Sequence, residues 1–190
     1  MKLLIIEGTD RCGKDTLIES IAHEYKHVIK RHWSYPIGET NEDKTAYQKD
    51  SFNWEFKLHN ILQTASNEVD KNSIMIWNRS HIGELVYGTI YRDSQPETWV
   101  MDLEKKYCFD QADNIYLVYL HADPEFVVKQ DDGKSYSANL KDKQTELSKF
   151  NNACNRSTIR KKLFVKVNEN GEYKSQQDIL NTVFNFINDI

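Results

Sequence analysis

The chain has 190 residues, 39% of them hydrophobic and 28% charged, with a formal net charge of -4, a size and balance expected of one globular domain. That acidic balance excludes a general polyanion-binding surface, so any phosphate chemistry must rest on local basic groups and no general nucleic-acid binding is expected. No apolar run approaches the ~20 residues of a membrane span and no secretory leader precedes the first strand pattern, which predicts a soluble, cytoplasmic protein without a membrane partner.

The first informative stretch is the beginning of the chain. Leu3-Leu4-Ile5-Ile6 is an apolar run that reads as a buried strand and leads into Gly8-Thr9-Asp10-Arg11-Cys12-Gly13-Lys14-Asp15-Thr16. Leu17, Ile18, Ile21, Ala22 and Tyr25 then recur at helical spacing, which predicts a helix over residues 14–26. Strand, glycine loop and helix in that order form the setting of a phosphate-binding P-loop. Gly8 and Gly13 allow backbone angles that turn N–H groups toward phosphate oxygens, and Lys14 would reach the outer phosphates at the positive end of the helix dipole. The motif therefore predicts a nucleoside triphosphate ligand. Cys12 inside the loop reads as a small filler. With Cys108 and Cys154 it makes an odd set without metal-ligand spacing, as in a reducing compartment.

A second strand is predicted at Val28 to Trp33, ended by Ser34-Tyr35-Pro36-Ile37-Gly38. Residues 39–50 are polar and aperiodic and read as a loop. Trp54, Leu58, Ile61, Leu62, Ala65 and Val69 mark one face of a long helix. A third strand, Ile74 to Trp77, runs into Asn78-Arg79-Ser80. A helix follows over about 82–91, and Pro96 stands where the first turn of another would begin.

Ile115 to Leu120 is the strongest strand pattern and ends at His121-Ala122-Asp123-Pro124, where a short helix is expected. A polar, glycine-containing segment at 130–137 reads as a loop, within a lid at about 129–143. A helix over about 141–155, a fifth strand from Leu163 to Val167 and a final helix starting at Ser175 complete the chain. Asp178 is at the third position of that last helix, and Ile179, Leu180, Val183, Phe184 and Ile187 point inward. Near-continuous apolar strands alternating with helices predict an α/β fold, a five-stranded parallel sheet covered on both faces. Ligands of such sheets lie beyond the strand carboxyl ends, where residues 8–16, 35–36, 78–80 and 123 would meet.

Glu7-Gly8-Thr9-Asp10-Arg11-Cys12-Gly13-Lys14 resembles the loop of thymidylate kinases, E-G-x-D-R-x-G-K. Tyr35-Pro36 resembles the Phe-Pro of that family, Asn78-Arg79 its Asp-Arg, and Tyr87-Gly88 falls where the family places an aromatic under the deoxyribose. Asn-Arg-Ser-His-Ile-Gly-Glu-Leu-Val-Tyr-Gly joined to Gly-Lys-Asp-Thr looks most like small bacteriophage-encoded kinases. The resemblance implies a three-layer, nucleoside monophosphate kinase-like P-loop fold. It also implies phosphoryl transfer from ATP, with Mg²⁺, to a deoxynucleoside monophosphate such as dTMP, and, by analogy alone, a homodimer.

Residue by residue, the resemblance implies that Lys14 and the loop from Gly8 to Thr16 hold the ATP phosphates and that Arg79 clamps the acceptor phosphate. Asp10 would accept a hydrogen bond from the acceptor's 3′-hydroxyl, or else hold its own turn. Family members carry a charge-stabilising arginine either in the P-loop or in the lid. The lid here has only Lys129, Lys134, Lys141 and Lys143, so Arg11 is implied as the catalytic arginine beside Lys14 and Arg79. Tyr87 would crowd a ribose 2′-hydroxyl, or else pack in the core. Trp54 lies where the family has a base-stacking phenylalanine, with Phe52 and Phe56 as alternatives.

Several positions depart from the family pattern. Asp15 replaces the hydroxyl residue that normally contacts Mg²⁺, so either Asp15 or Thr16 would serve. Asn78 replaces an aspartate, a lost charge that Asp15 would restore from across the site. Gly38 stands where an arginine is usual, Lys57 is the nearest substitute for a base-contacting arginine, and Gly83 replaces a serine. These changes leave the base open, including a modified pyrimidine. A deoxynucleoside kinase, or a kinase of a nucleotide hydroxyl in DNA, is the enzymatic alternative. It would need a general base after the second strand, where Ser34-Tyr35-Pro36 offers none. A GTPase-like switch lacks its guanine-reading Asn-Lys-x-Asp. A P-loop protein without activity remains the non-enzymatic reading.

Overall fold

The structure is a computed structural model that describes residues 1–33, 35–65, 72–133 and 135–189. Ser34, Val69 and Lys134, which figured in the sequence expectations, lie outside the described residues.

Five parallel strands form the central sheet: β1 (Lys2–Gly8), β2 (His27–His32), β3 (Ser73–Asn78), β4 (Ile115–His121) and β5 (Lys161–Lys166), in the order β2-β3-β1-β4-β5. The crossovers are made by α1 (Lys14–Ala22), α2 (Asn41–Ala65), α3 (His81–Tyr91), α4 (Glu97–Lys106), α5 (Pro124–Lys129) and α6 (Leu140–Arg156), and α7 (Gln176–Asn188) closes the chain. Side-chain alternation divides the strands between two cores. Leu3, Ile5, Met75, Trp77, Leu117 and Tyr119 pack with Phe52, Phe56 and Phe150 on one face. Leu4, Ile6, Ile74, Ile76, Val118 and Leu120 pack with Leu17, Ile21, Val183 and Ile187 on the other. Each such side chain contributes about 1.5–3 kcal/mol by leaving water. β2 carries Lys30 and Arg31 at the exposed edge, where charge discourages pairing with another chain. No helix among the described residues is long and apolar enough to cross a membrane.

Three expectations require correction. The first helix stops at Ala22 rather than 26, with Tyr25 packed against the core from a turn beyond it. Residues 41–50 are not a loop but the first half of α2. A reciprocal cap starts that helix: the Asp43 N–H donates to Thr40 Oγ1 at 3.1 Å, and the Thr40 N–H donates to Asp43 Oδ2 at 3.1 Å. The buried stripe of α2 is Gln48, Phe52, Glu55, Phe56 and His59, not the one through Trp54, which is 59% exposed, and Ile61, which is 55% exposed. Phe52 and Phe56 win because they stack into an aromatic cluster with Trp33, Trp77 and Phe109.

One element was missed. The short strands β6 (Asn168–Glu169) and β7 (Glu172–Tyr173) form an antiparallel hairpin turned by Asn170 (φ 52°) and Gly171 (φ 80°). Two positive φ values in succession suit the tight turn that Asn-Gly favours, so the signal lay in the sequence.

Candidate active site

The P-loop connects β1 to α1. Gly8 has φ +151° and its missing side chain is required, because a Cβ there would meet the Leu120 carbonyl oxygen of β4 at 2.3 Å. Gly13 caps α1 in the left-handed region, at φ 75°. Cys12 is buried, its Sγ 3.2 Å from Thr9 Oγ1, and burial pushes its thiol above the ordinary value, which suits a filler rather than a nucleophile. Lys14 folds back over the loop and donates to the carbonyl oxygens of Gly8 at 3.0 Å and Thr9 at 2.7 Å. Burial and then the charge of Arg79 lower its pKa to about 8. An anion in the loop would reverse that shift.

Arg79 follows β3 with φ 68°, and its N–H donates to the Ile6 carbonyl at 2.9 Å, which ties the position to β1. Buried Glu7 reinforces the junction by accepting from Ser80 Oγ at 2.6 Å and the Gly83 N–H at 3.1 Å. Ser80 Oγ also caps α3. The Arg79 guanidinium pairs with Asp10 and lies over the Tyr87 ring, 5.3 Å from its centroid. Burial alone would raise the Asp10 carboxyl. Arg79, then Lys14 and Lys143, outweigh it and hold Asp10 below its usual range.

Asp15 and Asn78 meet: Asn78 Nδ2 donates to Asp15 Oδ1 at 2.5 Å. Asn78 is buried, and its Oδ1 has no hydrogen-bond partner. Asp15 and Thr16 are exposed in the cavity. Arg11, at φ 65°, pairs with Asp132 of the segment between α5 and α6, so it is not free at the loop tip.

A cavity of about 630 Å³ gathers Asp10, Arg11, Lys14, Asp15, Thr16, Asn78 and Arg79, and extends past Asp132 to Tyr173, Gln176, Ile179 and Leu180. Those last residues were not singled out as ligand-binding by sequence reasoning. Tyr173 comes from the missed hairpin, and its hydroxyl donates to the Arg11 carbonyl oxygen at 2.8 Å.

Other positions fall outside this arrangement. Pro36 is buried, whereas Tyr35 is 55% exposed and stacks on Tyr136 at 5.5 Å. Trp54 and Lys57 are exposed on α2 and do not line the cavity. Tyr87 is buried, beneath Arg79 and beside Tyr136. Lys129 belongs to α5, and Lys141 and Lys143 belong to α6. Lys143 is buried against Glu146, 3.1 Å away, so the segment between the two helices is shorter than the lid expected from sequence.

No family model and no curated protein sequence matches the chain. Among solved structures it is similar to YorR from Bacillus subtilis in complex with phosphorylated GDP, at 22% identity, over 98% of this chain and 95% of that one, with a TM-score of 0.63. It is also similar to thymidylate kinase from Candida albicans, at 14% identity, over 99% of this chain and 91% of that one, with a TM-score of 0.65. At such identities the likeness is one of fold: the chain has the three-layer α/β fold of P-loop kinases.

Proposed function

We propose that the chain transfers a phosphoryl group from ATP to a deoxynucleoside monophosphate, dTMP or a related pyrimidine nucleotide being the first candidate. The observation that carries this reading is the second cation. Arg79 is fixed by the β1–β3 junction on the same cavity as the P-loop lysine, so two cationic side chains suited to phosphate face one space. A nucleotide-binding switch needs only the first of them. Both fold neighbours are consistent with nucleotide substrates, one by its name as thymidylate kinase and the other by its phosphorylated GDP.

The chemistry is chiefly positioning and charge neutralisation. Lys14 and the loop amides hold the donor's β and γ phosphates, and Val167, Ile179 and Leu180 offer an apolar wall to its base at the far end of the cavity. Arg79 holds the acceptor phosphate. An oxygen of that phosphate attacks the γ-phosphorus in line, and the bond to the β-phosphate oxygen breaks to leave ADP. Arg11, parted from Asp132, meets the charge that spreads over the equatorial oxygens. A phosphate acceptor brings its own anionic nucleophile. A hydroxyl acceptor needs a base, and Asp10, held low by Arg79, is a poor one. That argument favours a monophosphate over a nucleoside or a DNA hydroxyl.

The donor set suits Mg²⁺. Asp15 offers an exposed carboxylate, Thr16 a hydroxyl, and Asn78 Oδ1 a buried oxygen without a partner. When bound with ATP, the cation would neutralise phosphate charge, and Asp15 is its first ligand among these residues.

The test is a panel of ribo- and deoxynucleoside monophosphates, including dTMP and dGMP, incubated with ATP and Mg²⁺ and read as diphosphate formation. Thymidine and a DNA oligonucleotide run beside them as hydroxyl acceptors. ATP binding with no diphosphate from any monophosphate refutes the proposal, and product from thymidine alone replaces it.

A further inference from the structure

Beside Arg79 lies a cluster of tyrosines that the transfer step does not use. Tyr35 follows β2, Tyr87 and Tyr91 lie one turn apart on α3, and Tyr136 comes from the segment between α5 and α6. The Tyr136 ring stacks on Tyr91 at 4.7 Å and 11°, on Tyr87 at 5.5 Å and 22°, and on Tyr35 at 5.5 Å and 28°. It alone of the four contacts all the others. Tyr35 and Tyr136 keep 55% and 39% of their surface exposed, so this aromatic surface is open to a ligand. The cluster is also next to charge, because Tyr87 carries the Arg79 guanidinium over its ring.

Phe52 and Phe56 of α2 do not provide such a surface, being 1% and 0% exposed inside the core. The Tyr87 ring is 5.3 Å from the Arg79 guanidinium and 5.5 Å from the Tyr136 ring, distances on the scale of a mononucleotide.

We propose that Tyr136 is a specificity-determining residue that stacks on the nucleobase of the acceptor, with Tyr35 and Tyr91 completing the aromatic wall. The inference rests on the acceptor being a nucleoside monophosphate, as argued above. Stacking uses a face that every base has, so this wall favours bases over their absence more than it separates one base from another.

The test is calorimetric titration of the whole protein with each of the four 2′-deoxynucleoside 5′-monophosphates and with 2-deoxyribose 5-phosphate, which lacks the base. Tyr136→Ala is expected to weaken monophosphate binding by about 5- to 150-fold, the span of base–aromatic stacking. Binding of the base-free phosphate and of ATP should stay unchanged. Tyr136→Phe, which keeps the ring, should bind like the unaltered protein. Retained ATP binding in Tyr136→Ala shows that the variant is folded. Unchanged monophosphate affinity in Tyr136→Ala overturns the proposal, as does an equal loss for the base-free sugar. Tighter binding overturns it too, since the ring would then be competing with the base. A protein that binds monophosphates without phosphorylating them removes the transferase reading and leaves Tyr136 to be decided by binding alone. Binding of no monophosphate overturns both.

Discussion

The contact between Asp15 and Asn78 makes a quantitative prediction. Asn78→Asp would replace an amide N–H donor, 2.5 Å from Asp15 Oδ1, with a second carboxylate. The lost hydrogen bond to a charged group is worth about 1.5–3 kcal/mol. Two like charges about 4 Å apart repel by about 4 kcal/mol at an effective dielectric near 20, and the exposure of Asp15 screens part of that. Asp15→Ser alone loses the same hydrogen bond, and in the double variant Asp15→Ser/Asn78→Asp the repulsion has no partner. The bond is then lost once rather than twice and the repulsion is absent, so the expected coupling is at least about 1.5–3 kcal/mol in favour of the double variant. Urea unfolding of all four proteins at neutral pH without divalent cation measures it, and steady-state turnover of the same four proteins should rank the double variant above Asn78→Asp. Added Mg²⁺ should recover part of the stability that Asn78→Asp loses. Additivity of the two single changes within about 0.5 kcal/mol would refute the idea that the carboxylate has moved from one side of the site to the other.

Arg11→Ala should lower kcat by at least about 100-fold with little change in ATP affinity, as removal of a charge-stabilising donor does. Turnover like that of the unaltered protein takes Arg11 out of the mechanism. Gly8→Ala should cost roughly 2–5 kcal/mol, because it combines a disfavoured φ with a Cβ pressed on the Leu120 carbonyl. A thermal midpoint unchanged within a degree contradicts the close approach of β1 and β4 at that point. His59 is buried with Nε2 unpartnered, and burial, then the charge of the N-terminal amino group, lowers its pKa from 6.5 to about 4. The unfolded chain binds that proton first, so stability present above pH 6.5 falls as pH drops toward 4, by up to about 3 kcal/mol. Unfolding free energies for the protein and for His59→Asn across that window should diverge with the protein more acid-sensitive, and parallel curves would remove His59 as the cause.

Sheet, P-loop and helix order were legible because each rests on local pattern. Leu3 to Ile6 and Ile115 to Leu120 are buried on both faces and carry no charged residue to confuse them. The register of α2 was not legible, since two apolar stripes are present and only tertiary contact with Trp77 and Phe109 selects the one through Phe52 and Phe56. Its polar first half was misread for the same reason, because a helix capped by Thr40 and Asp43 needs no apolar period of its own to begin. At the site, motif spacing indicated Lys14, and the family resemblance pointed to Arg11, Arg79 and Asp15. Asp132 and Tyr173 were missed because their relation to the loop is purely spatial, across more than a hundred residues of chain, and Tyr136 because its contacts with Tyr87 and Tyr91 are likewise tertiary. The meeting of Asp15 with Asn78 was expected only as a balance of charge, and the structure turns it into a hydrogen bond.

The left-handed backbone of Arg11 and Arg79 has a consequence for heat resistance. Side-chain-bearing residues at φ 65° and 68° each cost about 1–2 kcal/mol that glycine would not. Arginine at both positions therefore opposes tolerance of high temperature, and the opposition falls on the two cations that flank the cavity. Directed evolution scored only on survival of heating should drift toward glycine at 11 and 79. The hardened proteins it yields would keep the sheet and lose both cations.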